Sequence, residues 1–416
     1  MARAIQGIGG SLLVPGGLAL INATVEPARR GQMIGMWTTL TSSVIAFGPA
    51  LGGWLVDTFS WRMVFFINIP LGLAAVYVAL RQVPESRDEE ATGALDWLGV
   101  LTLLLGLGGV LFGLIEGPRL GWQSPLIIGM IIGGGLSLIA FIVVEARIAA
   151  PMLPLHLFRN RNFSAINLVT LIHWTSLSGI FFFLTLNLQQ VQGFSALAAG
   201  LAILPISLSI ILLSGPVGRA TDRVGVRTPI IVGLIITAFS FFLFMRPGIR
   251  ANYWLDFFPA ILVFGIGLGL TIAPVTTMAM GALPQRYSGV ASGLNNAASR
   301  FAQMLAVAIF GAILVTGFQT QLADRTAELP LPTGARDQLL AESHNFGATQ
   351  PPEGLSEGLR QTVIEAIQWS FVDSFQQVMV ISVVLTLISL IIILLYIEPQ
   401  KATDTTERLV IETMGG

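Results

Sequence analysis

Long apolar runs, broken at intervals by charged and turn-forming residues, dominate this chain. A run of about 18 residues or more with few charges is what a helix needs to cross the hydrocarbon of a bilayer. Read this way, the sequence predicts eleven spans, at 2–22, 33–56, 62–80, 97–115, 125–145, 164–188, 196–217, 228–245, 255–280, 288–316 and 372–396. Polar and apolar residues do not alternate strand-fashion within them, which argues against an outer-membrane barrel. Between the spans lie a charged linker at 81–96 (RQVPESRDEEATGALD), a second linker at 147–163, a polar loop at 317–371 and a tail at 397–416. The long loop holds Pro330, Pro332, Pro351 and Pro352. Near its end, Leu355, Leu359, Val363 and Ile367 have helical spacing, which predicts a short surface helix leading into the last span.

Composition agrees with the pattern. Of 416 residues, 54% are hydrophobic and 11% charged, and mean hydropathy is +0.77. A soluble protein carries ~25% charge. The fold class is therefore an all-α polytopic membrane protein. Net charge is −1 with no basic patch, so nucleic acid is not a predicted partner; the lipid bilayer is. Cysteine is absent, which removes disulfides, thiolate metal sites and a cysteine nucleophile. Neither paired acids nor a Ser/His/Asp order suggests an enzyme, and no catalytic residue, metal site or cofactor is assigned. No Walker motif supports ATP use. Gly265-x-Gly267-x-Gly269 lies inside a span, without the strand–turn–helix context of a nucleotide fingerprint.

Arg and Lys set the predicted orientation. One alternating set of loops carries Arg29, Arg30, Arg81, Arg87, Arg147, Arg159, Arg161, Arg219, Arg223, Arg227, Arg286, Lys401 and Arg408. The short loops of the other set carry Arg62, Arg119, Arg246 and Arg250. The richer side is read as cytoplasmic, which places the C-terminus inside and the N-terminus of this chain outside.

Several residues stand out against the apolar background. Gly48-Pro49-Ala50-Leu51-Gly52-Gly53 sits inside a run long enough to cross the membrane. Proline costs ~3 kcal/mol and glycine ~1 kcal/mol in a helix interior. Membrane helices tolerate both where a neighbour approaches closely or the helix bends. The reading is a pliable helix in a protein that moves something across the membrane; the alternative is plain small-residue packing, such as Gly48 with Gly52. Asn296, Arg300 and Gln303 fall at i, i+4 and i+7, one helical face, grouped with Asn295. Such a polar stripe at membrane depth should line a cavity or grip another helix. His173 is mid-span and could carry a proton or be a buried hydrogen-bonded group. Asp57, Glu116, Glu145, Asp256 and Asp373 lie at span ends.

These motifs resemble those of a known family. Arg3-x-x-Gln6-Gly7-x-Gly9-Gly10 is similar to the fourth-span motif of major facilitator superfamily transporters. Gly35-x8-Val44-x3-Gly48-Pro49-x2-Gly52-Gly53 resembles their fifth-span antiporter motif, although Val44 stands where the pattern has glycine. Ser60-Trp61-Arg62-x2-Phe65-x-Ile67-Asn68-x-Pro70-x-Gly72 looks like the sixth-span entry of the fourteen-span drug:proton antiporters of the EmrB/QacA type. Two extra spans between 97 and 145, and PMLPLHLFRNRNF at 151–163, fit that branch. Gly218-Arg219-Ala220-Thr221-Asp222-Arg223-Val224-Gly225-Val226-Arg227 resembles the family's cytoplasmic loop motif, departing from it at Ala220 and Val226.

The resemblance implies a major facilitator fold with about eleven of fourteen spans, the first three lying outside this chain. Residues 1–80 would be the remainder of the N-terminal bundle, 97–146 the two inserted spans, and 164–396 the C-terminal six-span bundle. It implies a secondary transporter of a bacterial plasma membrane that exports drugs or other small amphipathic compounds in exchange for protons, with the proton gradient as its energy source. A periplasmic adaptor is left open. The gating residues would be Gly35, Gly48, Pro49, Gly52 and Gly53. Arg3, Gln6, His173, Asn296, Arg300 and Gln303 would be proton-linked or cavity groups, and Gly218, Asp222, Arg223, Gly225 and Arg227 the loop motif. Two alternatives remain: a dedicated exporter of one metabolite or antibiotic, or a non-transporting truncated membrane protein. With its first spans and their acid missing, the polypeptide alone is expected not to transport.

Overall fold

The computed structural model describes residues 6, 7, 9, 10, 33, 47–82, 96–148, 151–283, 288–332 and 334–397. For Asp222, Ser288, Gly289 and His344 only the backbone is described. Among these residues the structure is helical, without strands. Among the described residues nine helices are long and apolar enough to cross a membrane, and each overlaps one of the last nine predicted spans. The predicted span 2–22 falls almost wholly outside the described residues, and 33–56 is described mainly from residue 47. The chain forms two compact units, residues 1–93 with 195–204 and residues 94–194 with 205–416.

In the first unit, α1 covers residues 47–58, α2 Met63–Phe66 and α3 Asn68–Gln82. This unit also contains α7, Ala196–Ala202, which begins at Ser195: its hydroxyl accepts the Ala198 N–H at 3.2 Å, an N-cap.

The second unit opens with a hairpin, α4 (Trp97–Leu120) and α5 (Pro125–Glu145). Asp96 caps α4 by accepting the Gly99 N–H at 2.7 Å. Pro125 starts α5 at the position where a missing N–H costs nothing. Small residues let the two helices meet. A β-carbon on Gly109 would stand 3.0 Å from the Gly134 Cα, and one on Gly106 2.7 Å from Leu138 Cδ2. The Ser137 hydroxyl adds a bond to the Thr102 carbonyl at 2.8 Å. Away from the seam, Leu104, Leu105, Ile132, Leu136 and Ile139 are each more than half exposed. That surface suits a hydrocarbon solvent rather than water.

The rest of the unit packs α6 (Arg161–Leu186), α8 (Leu204–Val224), α9 (Arg227–Phe244), α10 (Phe258–Gly281), α11 (Ser288–Thr326) and α13 (Glu357–Tyr396), with the short α12 at Ala335–Ala341. Phe264 of α10 anchors one end of the core. The rings of Phe181, Phe241 and Phe244 meet it at 5.7, 5.6 and 6.1 Å. Ile166, Val169, Ile230, Leu234, Val275, Ala279 and Ile393 form a buried cluster from α6, α9, α10 and α13. Helices α9 and α10 approach at Gly233 and Gly267, whose added β-carbons would lie 2.6 Å from Thr271 Cγ2 and 2.4 Å from Thr237 Oγ1.

The last two long helices extend beyond the predicted spans. Helix α11 continues to Thr326, and α13 begins at Glu357, so helix covers both ends of the expected loop 317–371. The expected surface helix around 355–367 is not separate: it is the first part of α13, with Val363 and Ile367 buried. The extensions are held by tertiary contacts. Arg325 pairs with Asp373 at 2.6 Å, and Phe318, Leu322, Thr326 and Phe371 are fully buried.

Candidate functional site

The Gly-Pro motif on α1 meets α7 within the first unit. A β-carbon on Gly53 would stand 2.4 Å from the Ala196 carbonyl oxygen and 2.7 Å from the Leu197 Cα. Reciprocally, a β-carbon on Gly200 would stand 2.4 Å from the Pro49 carbonyl oxygen and 3.0 Å from the Ala50 Cα. The pairing 53 with 196 and 49 with 200 makes the helices antiparallel. Each supplies one glycine, so the backbones touch with no side chain between them. Gly48 and Gly52 do not face α7: among the described residues, nothing lies within 4 Å of a β-carbon added to either. Among the described residues, the small-residue contact of this motif runs through Gly53 and Gly200.

One turn beyond Gly53, Asp57 completes this seam. Its carboxylate accepts the Leu197 N–H at 2.8 Å and the Ala196 N–H at 3.3 Å, at the N-terminus of α7. The Leu197 N–H, then the Ser195 hydroxyl and the Ala196 N–H, hold the Asp57 carboxyl below the usual carboxylate range. An anion at a helix N-terminus is also favoured by the helix dipole. Pro49, Gly53 and Asp57 thus share one face at i, i+4 and i+8. The sequence reading missed Asp57, Ser195 and Gly200 as parts of a site. The available signals were the spacing of Asp57 from Gly53, and a serine heading the small-residue run Ala196–Ala202.

The polar residues of α11 separate into two groups. Asn295 is buried and donates to Thr170 Oγ1 on α6 at 2.7 Å, with Asn167 Oδ1 at 3.5 Å. It is an interhelical tie and does not belong with its neighbour. Asn296, Arg300 and Gln303 all lie on an exposed face of α11. Among the described residues Arg300 has no ion-pair partner. An unpaired guanidinium on an apolar helix suits a water-filled or ligand-filled space.

His173 does not join that face. It is buried, and its Nε2 lies 3.3 Å from Thr271 Oγ1 on α10. Thr271 Oγ1 itself donates to the Gly267 carbonyl at 3.1 Å, so it accepts from an Nε2–H tautomer. That leaves Nδ1 as a buried acceptor without a partner. This arrangement is that of a core histidine tying α6 to α10.

In the loop motif, α8 ends at Val224 and Gly225 takes φ +79, the left-handed conformation that glycine adopts without strain. Gly218 has open space around it, and Arg223 is exposed in the last turn of α8. Arg227 starts α9 and donates to the Leu394 carbonyl of α13 at 2.9 Å. A guanidinium there satisfies a carbonyl at a helix C-terminus, which the dipole favours. The Asp222 side chain falls outside the described residues, as do Arg3 and Gly35. Gln6 is helical and exposed.

Comparison with known proteins gives consistent results. The sequence profile of the Major Facilitator Superfamily matches residues 1–307. The multidrug resistance protein Stp of Mycobacterium tuberculosis is 30% identical over 82% of this chain, which spans 63% of that relative's length. The tetracenomycin C resistance and export protein of Streptomyces glaucescens is 30% identical, with 89% of this chain and 69% of that one covered. The methylenomycin A resistance protein of Bacillus subtilis is 31% identical, covering 75% and 67%. Among solved structures, a bacterial homolog of the human lysosomal transporter Spinster, inward-facing and unoccupied, aligns with a TM-score of 0.52 at 12% identity. That alignment covers 91% of this chain and 74% of the other, and speaks to fold alone.

Proposed function

The chain belongs to the Major Facilitator Superfamily, and from that premise we propose that it is the transport body of an exporter for drugs or other small amphipathic compounds, driven by exchange for protons. The observation that carries this is the seam between α1 and α7. Two glycines bring the backbones into contact, and Asp57 pins the end of α7 to α1. Such a contact can close tightly without side-chain interdigitation and part again at small cost, which is what a gate in alternating access requires. The relatives named for multidrug resistance and antibiotic export support the direction of transport.

The hairpin α4–α5 supports placing the chain in the fourteen-span drug:proton antiporter branch, as the two inserted spans. The exposed Asn296–Arg300–Gln303 face would line the substrate path, with the C-terminus cytoplasmic. A second reading, a dedicated exporter of one antibiotic, draws on the relatives named for tetracenomycin C and methylenomycin A.

The test is expression of the full-length gene in an efflux-deficient bacterial host. Resistance to several unrelated compound classes, with dye efflux abolished by a protonophore, is the expected result. Resistance to a single class would favour the dedicated exporter. Efflux that survives collapse of the proton gradient would remove proton exchange.

A further inference from the structure

Between the α4–α5 hairpin and the last two long helices lies a cavity of about 530 Å³ that the transport reading does not use. Leu114 of α4 and Ile309, Ala312 and Ile313 of α11 make its apolar part. Thr316, Thr320 and Gln321 of α11 and Gln377 of α13 make its polar part, and Trp122 of the α4–α5 turn also lines it. Ile309, Ile313, Thr316 and Thr320 fall at i, i+4, i+7 and i+11, so one stripe of α11 changes from apolar to polar along the cavity. Arg300 lies roughly 160° around the helix from Thr316, so this stripe is not the Asn296–Arg300–Gln303 face.

Two glycines make room for the polar groups. A β-carbon on Gly317 would stand 2.8 Å from Gln377 Oε1, and one on Gly117 2.7 Å from the Trp122 ring. The amide can therefore lie across α11, and the indole can fold back on α4. Among the described residues, the amides of Gln321 and Gln377, the Thr316 hydroxyl and the Trp122 indole N–H have no hydrogen-bond partner. Among the same residues no charged side chain lines the cavity. The ion pair of Arg325 with Asp373 lies one turn beyond both glutamines.

The chemistry of the lining selects an occupant. Free, uncharged N–H and O–H donors suit a group rich in acceptors, such as the ester carbonyls of a lipid. The apolar part suits a hydrocarbon chain. Ile309 and Thr320 are about 17 Å apart along the helix axis, close to half of the ~30 Å hydrocarbon layer, which is the depth of one leaflet. Trp122 at the polar end stands as aromatic residues do at a membrane–water interface.

We propose that this cavity is a phospholipid site. One acyl chain lies along Leu114, Ile309 and Ile313, and the ester carbonyls accept from Gln321, Gln377 and Trp122. The bound lipid bridges the hairpin to α11 and α13. The proposal does not depend on what the protein exports.

Native mass spectrometry of the purified full-length protein, delipidated and then titrated with phosphatidylethanolamine or phosphatidylglycerol, tests it. One lipid should bind ahead of the rest, and the two headgroups should bind alike, because the lining carries no charge. The double variant Gln321→Leu, Gln377→Leu should weaken that first site roughly tenfold, the loss expected from two neutral hydrogen bonds. Thr316→Trp fills the cavity from an exposed position and should abolish the site. Should that variant fail to insert, Ile313→Trp replaces it. Leu136→Trp, on the exposed face of α5, should leave the site unchanged. Binding with no distinguishable first lipid overturns the proposal, as does a first lipid that survives the cavity-filling variant or strongly prefers phosphatidylglycerol. Displacement of the first lipid by a transported dye, with the dye then counted in the same complex, also overturns it and makes the cavity a substrate site.

Discussion

Gly53 of α1 and Ala196 of α7 are in backbone contact: a β-carbon on the glycine would stand 2.4 Å from the alanine carbonyl oxygen. Gly53→Leu should therefore wedge the helices apart. Overpacking of this kind costs about 1–3 kcal/mol, which is roughly 5- to 150-fold in the closed-to-open ratio. Gly48→Ala and Gly52→Ala meet open space, and alanine favours helix by about 1 kcal/mol over glycine. Dye efflux with membrane insertion measured in parallel checks this. Loss of efflux at Gly48 equal to that at Gly53 would show that the seam is not the sensitive element.

Asp57 should control the order of the start of α7. In Asp57→Ala the Ala196 and Leu197 amides lose their acceptor, and their hydrogen exchange should quicken. Asp57→Asn keeps an acceptor oxygen and should lie between the two. Because the folded carboxyl is held below its ordinary value, its contribution is present above the ordinary carboxylate range of about 4. It is lost only as pH falls through the lower folded value. Protection at these amides, corrected for intrinsic rate, should then be flat across neutral pH and drop in strong acid.

The two polar groups of α11 should respond differently to substitution. Asn295→Ala removes the donor to Thr170 Oγ1 in the core, leaving that hydroxyl only its bond to the Ile166 carbonyl, and should destabilise by about 1–3 kcal/mol, visible as a lower melting temperature. Arg300→Ala and Gln303→Ala remove exposed groups and should leave melting unchanged while reducing export. Export that is normal in Arg300→Ala would take this face out of the substrate path.

The hairpin should be intolerant of bulk along its seam. A β-carbon on Gly134 would lie 2.7 Å from the Val110 backbone nitrogen, so Gly134→Val should cost about 1–3 kcal/mol. Gly133 and Gly135 face open space, and the same substitution there should be mild. Limited proteolysis between α4 and α5 reads the difference.

Spans were legible in the sequence because an apolar run of sufficient length is a local property, carried by composition alone. The seam was legible on one side only. Gly53 belongs to a recognisable motif, but its partner Gly200 is nearly 150 residues away and nothing local marks the pairing. Asn295 and Asn296 differ by one position, about 100° around a helix, and only packing tells which faces Thr170. The extensions of α11 and α13 were hidden because their helices include polar residues and are held by a pair distant in sequence, Arg325 with Asp373. Glu145 reads in the sequence as a span-end acid and Asp96 as the last residue of a charged linker; only packing brings both carboxyls against Gly99.

Helices α11 and α13 contain 39 and 40 residues. At about 1.5 Å per residue each is nearly twice as long as the roughly 30 Å hydrocarbon layer is thick. The segment that joins them is folded back, with Arg336 donating to the carbonyls of Thr326 and Ala327. Helices of this length reach past the hydrocarbon layer and would carry the segment between them outside it. An antibody fragment selected against residues 327–356 would bind outside the hydrocarbon layer and could serve as a fiducial for single-particle imaging.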